Sequence, residues 1–309
     1  MGFGKSAGWS FFLISAPLLT SLLGLPVLGG LAVSVALGFL SWFRVVRALK
    51  NRDSEMVLSS IPPSHFVEKV RFSMDILGLK YKEETDMALL GIFFSGRPVP
   101  TLRIKKGPFV SVIYDSGDIL RYLWASQQGT QNEEKAKFLT PKPETLEFEK
   151  RLDLMGTKMQ ILFYNMIDAD FMKELGGRCV RGVPTWQKYF HRLVHPVLSN
   201  AIKKVFPAAK VSESRVYIQE ILDEAEKMLD SKKFLFGDAW TYVDIQLAAF
   251  CAVLFVLPEE FAGGRFNVLD KHFLPKNGYP GMCEYQKELR TSYPLVTAYT
   301  SQLYRELRC

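Results

Sequence analysis

An aspartate and a serine at the start of a predicted helix form the clearest candidate binding element of this sequence. Asp115 and Ser116 follow a predicted strand, Phe109–Tyr114, and both residue types favour the N-cap position of a helix. Backbone N–H groups at a helix N-terminus attract an anion, whereas the carboxylate of Asp115 attracts a cation. Such a helix start suits a small zwitterion with a carboxylate and an ammonium group. The alternative is that the two residues only cap the helix.

A Val-Pro turn lies upstream of this pair. Val99 and Pro100 stand at the start of a short predicted strand. Because proline cannot donate to a strand ladder, a proline there indicates a turn, and X-Pro bonds are where cis peptide bonds occur. Downstream, the helix places further residues on one face with Ser116, at spacings of three and four: Ile119, Tyr122 and Leu123.

At these residues the chain resembles the soluble glutathione transferase family. The family's thioredoxin-like domain carries a Val-Pro-x-Leu turn with the proline in cis, which residues 99–102 match. An acidic-Ser-x-x-Ile-x-x-Tyr-Leu helix start follows in the family and grips the γ-glutamyl end of glutathione; residues 115–123 match it. The resemblance implies that Asp115 and Ser116 hold the γ-glutamyl end and that Val99, before Pro100, offers backbone bonds to the cysteinyl part.

A serine in the loop before the first predicted helix is the candidate catalytic residue. The family opens with such a loop, and alignment on Lys69-Val70 puts Ser64 where its Ser-using classes carry the catalytic serine. A free thiol has a pKa of about 8.5, and a hydroxyl that donates to the sulfur at a helix N-terminus stabilises the thiolate. The alternatives are that Ser64 is only an N-cap, or that Ser59 or Ser60 provides the hydroxyl.

Other chemistries find little support in the sequence. Ser64 has no His/Asp pair with the character of a nucleophilic triad. The four cysteines are scattered, without Cys-x-x-Cys or metal-ligand spacing, which indicates a reducing compartment. His191 and His195 are spaced as ligands could be, but no third ligand is near, so no metal is expected. Nucleic acid is not an expected partner, because aromatic and basic residues show no binding-motif order.

Length and periodicity predict two globular domains behind an apolar N-terminal segment. A chain of 309 residues allows roughly two domains. Residues 53–125 begin with a strand–helix–strand pattern and form the α/β domain, thioredoxin-like by the resemblance. Residues 126–143 are predicted to be a linker, and residues 144–309 the family's all-helical C-terminal domain. In the latter, Thr241 and Asp244 are predicted to cap a strongly apolar helix reciprocally, within a Gly-Asp-x-x-Thr-x-x-Asp-Ile element that the family also carries.

The N-terminal segment is predicted to be a membrane anchor. No charged residue occurs between Lys5 and Arg44, and one bilayer crossing needs about 20 apolar residues. Residues 1–50 therefore read as a transmembrane helix, or as a re-entrant hairpin broken near Pro26. A cleaved signal peptide or a buried core helix are the alternatives. Basic residues follow the run at once, and the positive-inside rule then places the globular part in the cytosol.

A second stretch with a membrane-binding pattern lies in the helical part. Apolar residues trace one stripe from Trp186 to Phe206, with Lys188, His191 and other basic residues on the opposite side. The stripe is either packed in the core behind a solvated basic face, or it contacts an anionic membrane surface or an acidic hydrophobic ligand.

These elements predict a membrane-anchored, cytosol-facing enzyme of glutathione transferase type. Glutathione is the expected co-substrate, and the reaction is its conjugation to a hydrophobic electrophile or the reduction of a lipid hydroperoxide. The alternative is a non-enzymatic member of the fold that binds a partner or ligand at the membrane, which the anchor and a lengthened hairpin at residues 105–108 favour. The choice of membrane, the second substrate and the oligomeric state, monomer or homodimer, stay open.

Overall fold

The computed structural model describes most of the two predicted domains. The described residues are 35, 56–61, 64–87, 99–106, 109–166, 183–189, 191, 203–255 and 280–308. The predicted anchor, residues 1–50, lies outside them except for residue 35. Within the described part of the chain, no helix combines the length and the apolar character needed to cross a membrane.

A four-stranded mixed sheet in the order β2–β1–β3–β4 forms the first domain. Its first two strands are parallel and are joined by helix α1, whereas the last two are antiparallel and lead into helix α2. The elements are β1 (Met56–Ser60), α1 (His65–Ile76), β2 (Lys82–Thr85), β3 (Thr101–Lys106), β4 (Phe109–Tyr114) and α2 (Ser116–Gln127). The mixed sheet agrees with the α/β fold predicted for this part of the chain.

Local sequence signals set both ends of helix α1. Ser64 is its N-cap, and Gly78 beyond its C-terminus adopts a φ of 67°, the left-handed conformation that glycine supplies without strain. The Gly78 N–H donates to the Asp75 carbonyl and the Leu79 N–H to the Met74 carbonyl. The helix therefore ends two residues before the glycine, at Ile76.

The second described part is entirely helical. Its central helix, α6, is apolar all round and packs against α1, α4, α7 and α8, as a helix of that composition must when it forms a core. The elements are α3 (Glu133–Ala136), a 3₁₀ turn (Lys137–Leu139), α4 (Pro143–Met166), a second 3₁₀ turn (Ala208–Lys210), α5 (Val211–Ser231), α6 (Tyr242–Phe255), α7 (Pro280–Ser292) and α8 (Pro294–Leu307).

The segment predicted as a linker, residues 126–143, packs on both domains. Phe138 and Leu139 are buried, and the Phe138 ring lies 4.7 Å from that of Trp240. Most polar residues of this segment are exposed or partly exposed, so the polar composition gave no sign of the buried pair.

The carboxylate of Asp244 fixes the start of α6. It accepts hydrogen bonds from the Thr241 N–H at 2.7 Å and the Thr241 hydroxyl at 2.8 Å, and from the Leu235 N–H at 3.0 Å. The Thr241 oxygen in turn accepts from the Val243 N–H at 3.3 Å. Asp244 is fully buried. Its bond to the Leu235 N–H joins the start of the helix to the preceding loop.

The Trp186–Phe206 stripe is described only in part. Trp186, Tyr189 and Val205 are exposed, at 45%, 66% and 67% of their surface. His191, which the pattern placed on the basic side, is fully buried, as is Gln187. At these positions the apolar stripe is not the buried face, since Gln187 and His191 are the residues that pack inward.

Candidate functional site

Three predicted site elements meet at one end of the strands β1, β3 and β4. We call this end of the sheet the sheet edge. Ser59 of β1 pairs with Thr101 of β3, and Thr101 pairs with Tyr114 of β4. The end of β1, the start of β3 and the end of β4 are therefore neighbours. The loop that carries Ser64, the Val-Pro turn and the Asp-Ser pair all open at this edge.

The turn at Val99–Pro100 and the N-cap of α2 bring polar backbone and side-chain groups to the sheet edge. The Val99–Pro100 peptide bond is cis. Asp115 is the N-cap of α2 with a φ of 72°, a conformation rare outside glycine, and its carboxylate accepts from the Gly117 N–H at 2.8 Å. Ser116, the first residue of α2, is buried. Backbone held in a rare conformation concentrates at binding sites, which makes this cap a candidate one.

Ser64 lies at the same edge, at the N-terminus of α1. Its Oγ accepts from the Val67 N–H at 3.3 Å, which uses a lone pair and leaves the hydroxyl proton available to a ligand. Of the two rival hydroxyls, that of Ser60 is fully buried and donates to Thr85 Oγ1 at 3.3 Å. Ser64 therefore caps α1 and still has a donor to offer.

A cavity of about 60 Å³ lies between Ser64 and the helical domain. The described residues that line it come from the β1–α1 loop, the start of α1 and helices α4, α6 and α7. They are Ile61, Ser64, His65, Met159, Gln160, Leu162, Phe163, Tyr164, Val253, Leu254, Tyr285 and Gln286. None of them is an acid, a lysine or an arginine, so an uncharged, largely apolar group fits the cavity.

His65, next to Ser64, is a buried and neutral histidine. Its ring packs on Phe66 and Phe250 at centroid distances of 4.4 and 4.6 Å. Burial lowers the pKa of His65 to about 3, because an apolar surrounding penalises the charged imidazolium. The cavity is therefore lined by a neutral imidazole at physiological pH.

A buried ion-pair network lies under the site and joins the two domains. Lys69 of α1 is fully buried, and its Nζ lies 3.3 Å from Glu149 Oε1, 3.3 Å from Asp153 Oδ1 and 3.0 Å from Gln246 Oε1. Arg121 of α2 pairs with the other oxygen of Glu149. Burial raises the pKa of Asp153, while the Lys69 ammonium opposes that rise. The network holds α1 and α2 against α4 and α6.

Part of the chain matches a known protein family. Residues 208–300 match the family model described as glutathione S-transferase, C-terminal domain. This stretch of the helical domain is therefore similar to the C-terminal domain of that family. No curated protein matches the chain in sequence.

Solved structures with similar folds include several glutathione S-transferases. One from Ceriporiopsis subvermispora, in complex with glutathione, is 14% identical with a TM-score of 0.47, and the match covers 82% of this chain and 98% of that one. One from Methylobacillus flagellatus with glutathione bound is also 14% identical, with a TM-score of 0.44 and coverage of 81% and 95%. FzlA from C. crescentus is 17% identical, with a TM-score of 0.40 and coverage of 71% and 86%.

Sequence patterns had predicted Ser64 and the other residues at the sheet edge, but none of the remaining residues that line the cavity. Tyr285 and Gln286 lie on α7, within the part of the chain that was predicted to be helical but in which no cavity residue was predicted. A usable signal was present, because a proline at the first helical position precedes Tyr285, Leu289 and Tyr293 at spacings of four. No such signal marks Met159 or Tyr164 as cavity residues, because their side chains are ordinary for an amphipathic helix.

Proposed function

We propose that the protein is a glutathione transferase-like enzyme that conjugates glutathione to a hydrophobic electrophile or reduces a lipid hydroperoxide with it. The position of Ser64 carries the proposal, because this residue belongs both to the sheet edge and to the cavity wall. A thiol held at the sheet edge would lie near the Ser64 hydroxyl, and an electrophile in the cavity would lie within reach of the sulfur.

The proposed division of roles follows the chemistry of each residue. Ser64 donates its hydroxyl proton to the sulfur, and the N-terminus of α1 adds a favourable field for the thiolate. Asp115 and Ser116 hold the γ-glutamyl end of glutathione. Val99, next to Pro100, binds the cysteinyl part through its backbone. One hydrogen bond to a charged group is worth about 1.5–3 kcal/mol, enough to lower a thiol pKa by about one to two units.

Calorimetric titration of the full-length protein, purified in detergent, with glutathione tests the binding role. Ser116→Ala is expected to weaken glutathione binding about tenfold to a hundredfold, the loss of one charge-assisted hydrogen bond. Ser126→Ala is the matched control, because Ser126 lies near the far end of the same helix and bonds only within that helix, donating to the Leu123 carbonyl and accepting from the Gln127 amide. If the wild-type protein binds no glutathione, the enzyme proposal fails and a non-enzymatic binding protein on the same fold takes its place.

The membrane anchor is likewise a proposal, supported by the uncharged run before Arg44 and the basic residues after it. Protease added to intact organelles should digest the globular domains if they face the cytosol. Full protection of those domains would reverse the proposed topology.

A further inference from the structure

Two aromatic side chains of the predicted apolar stripe lie at the surface of the protein. Trp186 and Tyr189 are both exposed, whereas Gln187, in the same helical turn, is fully buried. The Gln187 amide accepts from the Met87 N–H at 2.8 Å and donates to Asp86 Oδ1 at 2.7 Å. Buried hydrogen bonds to the first domain therefore set the orientation of this turn, and the two aromatic side chains lie on its outer side.

Phe206 fixes the other end of the stripe at the C-terminal end of α4. Its ring stacks on that of Tyr164 at a centroid distance of 4.6 Å, and its carbonyl accepts from Asn165 Nδ2 at 2.9 Å. Val205, the preceding residue, is exposed. Three exposed lysines adjoin it in sequence: Lys203, Lys204 and Lys210. This end of the stripe therefore presents an aliphatic side chain among basic ones.

Both ends of the stripe are attached beside the β1–α1 loop. Asp86, to which the first turn is bonded, donates its N–H to the Ser60 carbonyl at the end of β1. Tyr164, on which Phe206 stacks, lines the cavity together with Ser64. The exposed residues of the two ends thus belong to one end of the molecule. We call them the basic–aromatic surface: Trp186, Tyr189, Lys203, Lys204, Val205 and Lys210.

The charge of this stretch has one sign. Residues 178–212 contain seven Lys or Arg and no Asp or Glu, as many positive charges as the net charge of +7 of the whole chain. The partner of such a surface carries negative charge. A second copy of the chain is a poor partner, because a two-fold interface would bring the same lysines of both copies together.

The apolar side chains decide between the remaining anionic partners. Trp and Tyr are enriched at the lipid–water interface, where the ring lies at the level of the headgroups, and an aliphatic side chain beside them reaches the acyl chains. Lysines near an anionic leaflet each add to the attraction. An acidic polymer in water would match the charge, but it offers no apolar phase to Val205.

We propose that the basic–aromatic surface docks on a bilayer with anionic headgroups. Trp186, Tyr189 and Val205 enter the interface, and the lysines contact the headgroups. Apolar molecules dissolved in that bilayer then lie beside the cavity that Tyr164 lines. The docking does not depend on glutathione binding, and it is a contact additional to the proposed N-terminal anchor.

Quenching of tryptophan fluorescence by brominated lipid tests the docking on the full-length protein. The protein is reconstituted into phosphatidylcholine vesicles with or without about 30% phosphatidylserine, in which the acyl chains are either brominated or unmodified. Trp186→Phe removes one of five tryptophans, so the wild type minus this variant isolates the emission of Trp186. Phosphatidylserine is expected to make bromine quench about half or more of that emission, and about 0.5 M salt to reverse the effect.

Two triple variants with the same change of charge separate this surface from the overall charge of the protein. The test variant replaces the lysines of the surface: Lys203→Gln, Lys204→Gln and Lys210→Gln. The control variant replaces three exposed lysines in α3 and at the opposite end of α5: Lys135→Gln, Lys227→Gln and Lys232→Gln. The test variant is expected to lower the ratio of docked to undocked protein about tenfold to a hundredfold, whereas the control should stay within about twofold of the wild type.

Three results would overturn the proposal. If phosphatidylserine leaves the quenching of Trp186 unchanged, the surface does not dock on anionic lipid. If both triple variants lose the quenching equally, only the overall charge matters and the surface has no special part. If the emission of Trp186 shifts to shorter wavelength without being quenched by brominated lipid, another protein covers the surface, and the lipid assignment is wrong.

Discussion

Ser64 and His65 are sequence neighbours at the start of α1, yet the helix gives them opposite chemical roles. The Ser64 oxygen lies at the positive end of the helix, where a negative partner is favoured. The His65 ring points into an aromatic cluster, where a positive charge is disfavoured. The site is thus suited to a thiolate beside a neutral, largely apolar surface.

The buried state of His65 should make stability depend on pH. Its pKa falls from 6.5 to about 3 on folding. Between these values the unfolded chain binds a proton that the folded chain does not, so stability decreases as the pH falls through this window, by up to about 1.4 kcal/mol per pH unit. His65→Gln removes this titration. In urea titrations, the free energy of unfolding of the wild type minus that of the variant should shrink between about pH 7 and about pH 4.5; a constant difference would contradict it.

The residues at the sheet edge could be predicted from the sequence because each is marked by its immediate neighbours in the chain. Asp115 and Ser116 follow a strand directly, and Pro100 marks a turn by its own chemistry. The other residues of the cavity wall could not be predicted in this way. Whether Tyr285 lies at a cavity depends on how α7 packs against helices distant in sequence.

Helix α4 packs against aromatic side chains of α1 and α6 at a glycine. A Cβ added at Gly156 would lie 2.7 Å from Phe66 Cζ and 2.8 Å from both His65 Nε2 and Phe250 Cε2. These atoms belong to packed aromatic rings, which have little room to move. The glycine is thus a packing requirement, although glycine is a poor helix former.

Gly156→Ala should therefore destabilise the protein, against the general preference of helices for alanine. Overpacking costs about 1–3 kcal/mol, which exceeds the gain of about 1 kcal/mol in helix propensity. Thr157→Ala is the matched control on the same helix turn, because Thr157 is exposed and its hydroxyl bonds only its own helix. Chemical denaturation compares the two; a Gly156→Ala variant as stable as the wild type would show that the aromatic cluster can move aside.

The two domains are joined by charged groups as well as by apolar surface. Besides Lys69, a second buried group lies at the end of the chain, where Arg308 Nη2 is 2.9 Å from Glu68 Oε1 of α1. Helix α8 thereby ties the C-terminal region to the first domain. The Lys69 contacts span 80, 84 and 177 positions in the sequence, which is why no periodicity within one helix could predict them.

Lys69→Met should weaken the whole fold. The variant leaves Glu149 and Asp153 without their shared cation, and removing one partner of a buried pair costs about 3–5 kcal/mol. Lys137→Met is the control, since Lys137 and its partner Glu134 are 67% and 80% exposed and such pairs contribute about 0–1 kcal/mol. Urea titration of both variants measures the difference. Equal effects would mean that water reaches the Lys69 network.

The central claim is that the Ser64 hydroxyl ionises the thiol of bound glutathione, and thiolate absorbance as a function of pH in the complex tests it most directly. The wild type should hold the bound thiol at a pKa below the free value of about 8.5. Ser64→Ala should raise that pKa by about one to two units and leave glutathione affinity within about twofold, while Ser59→Ala behaves as the wild type. If Ser64→Ala leaves thiolate formation unchanged, Ser64 is only the cap of α1 and the account of catalysis is wrong.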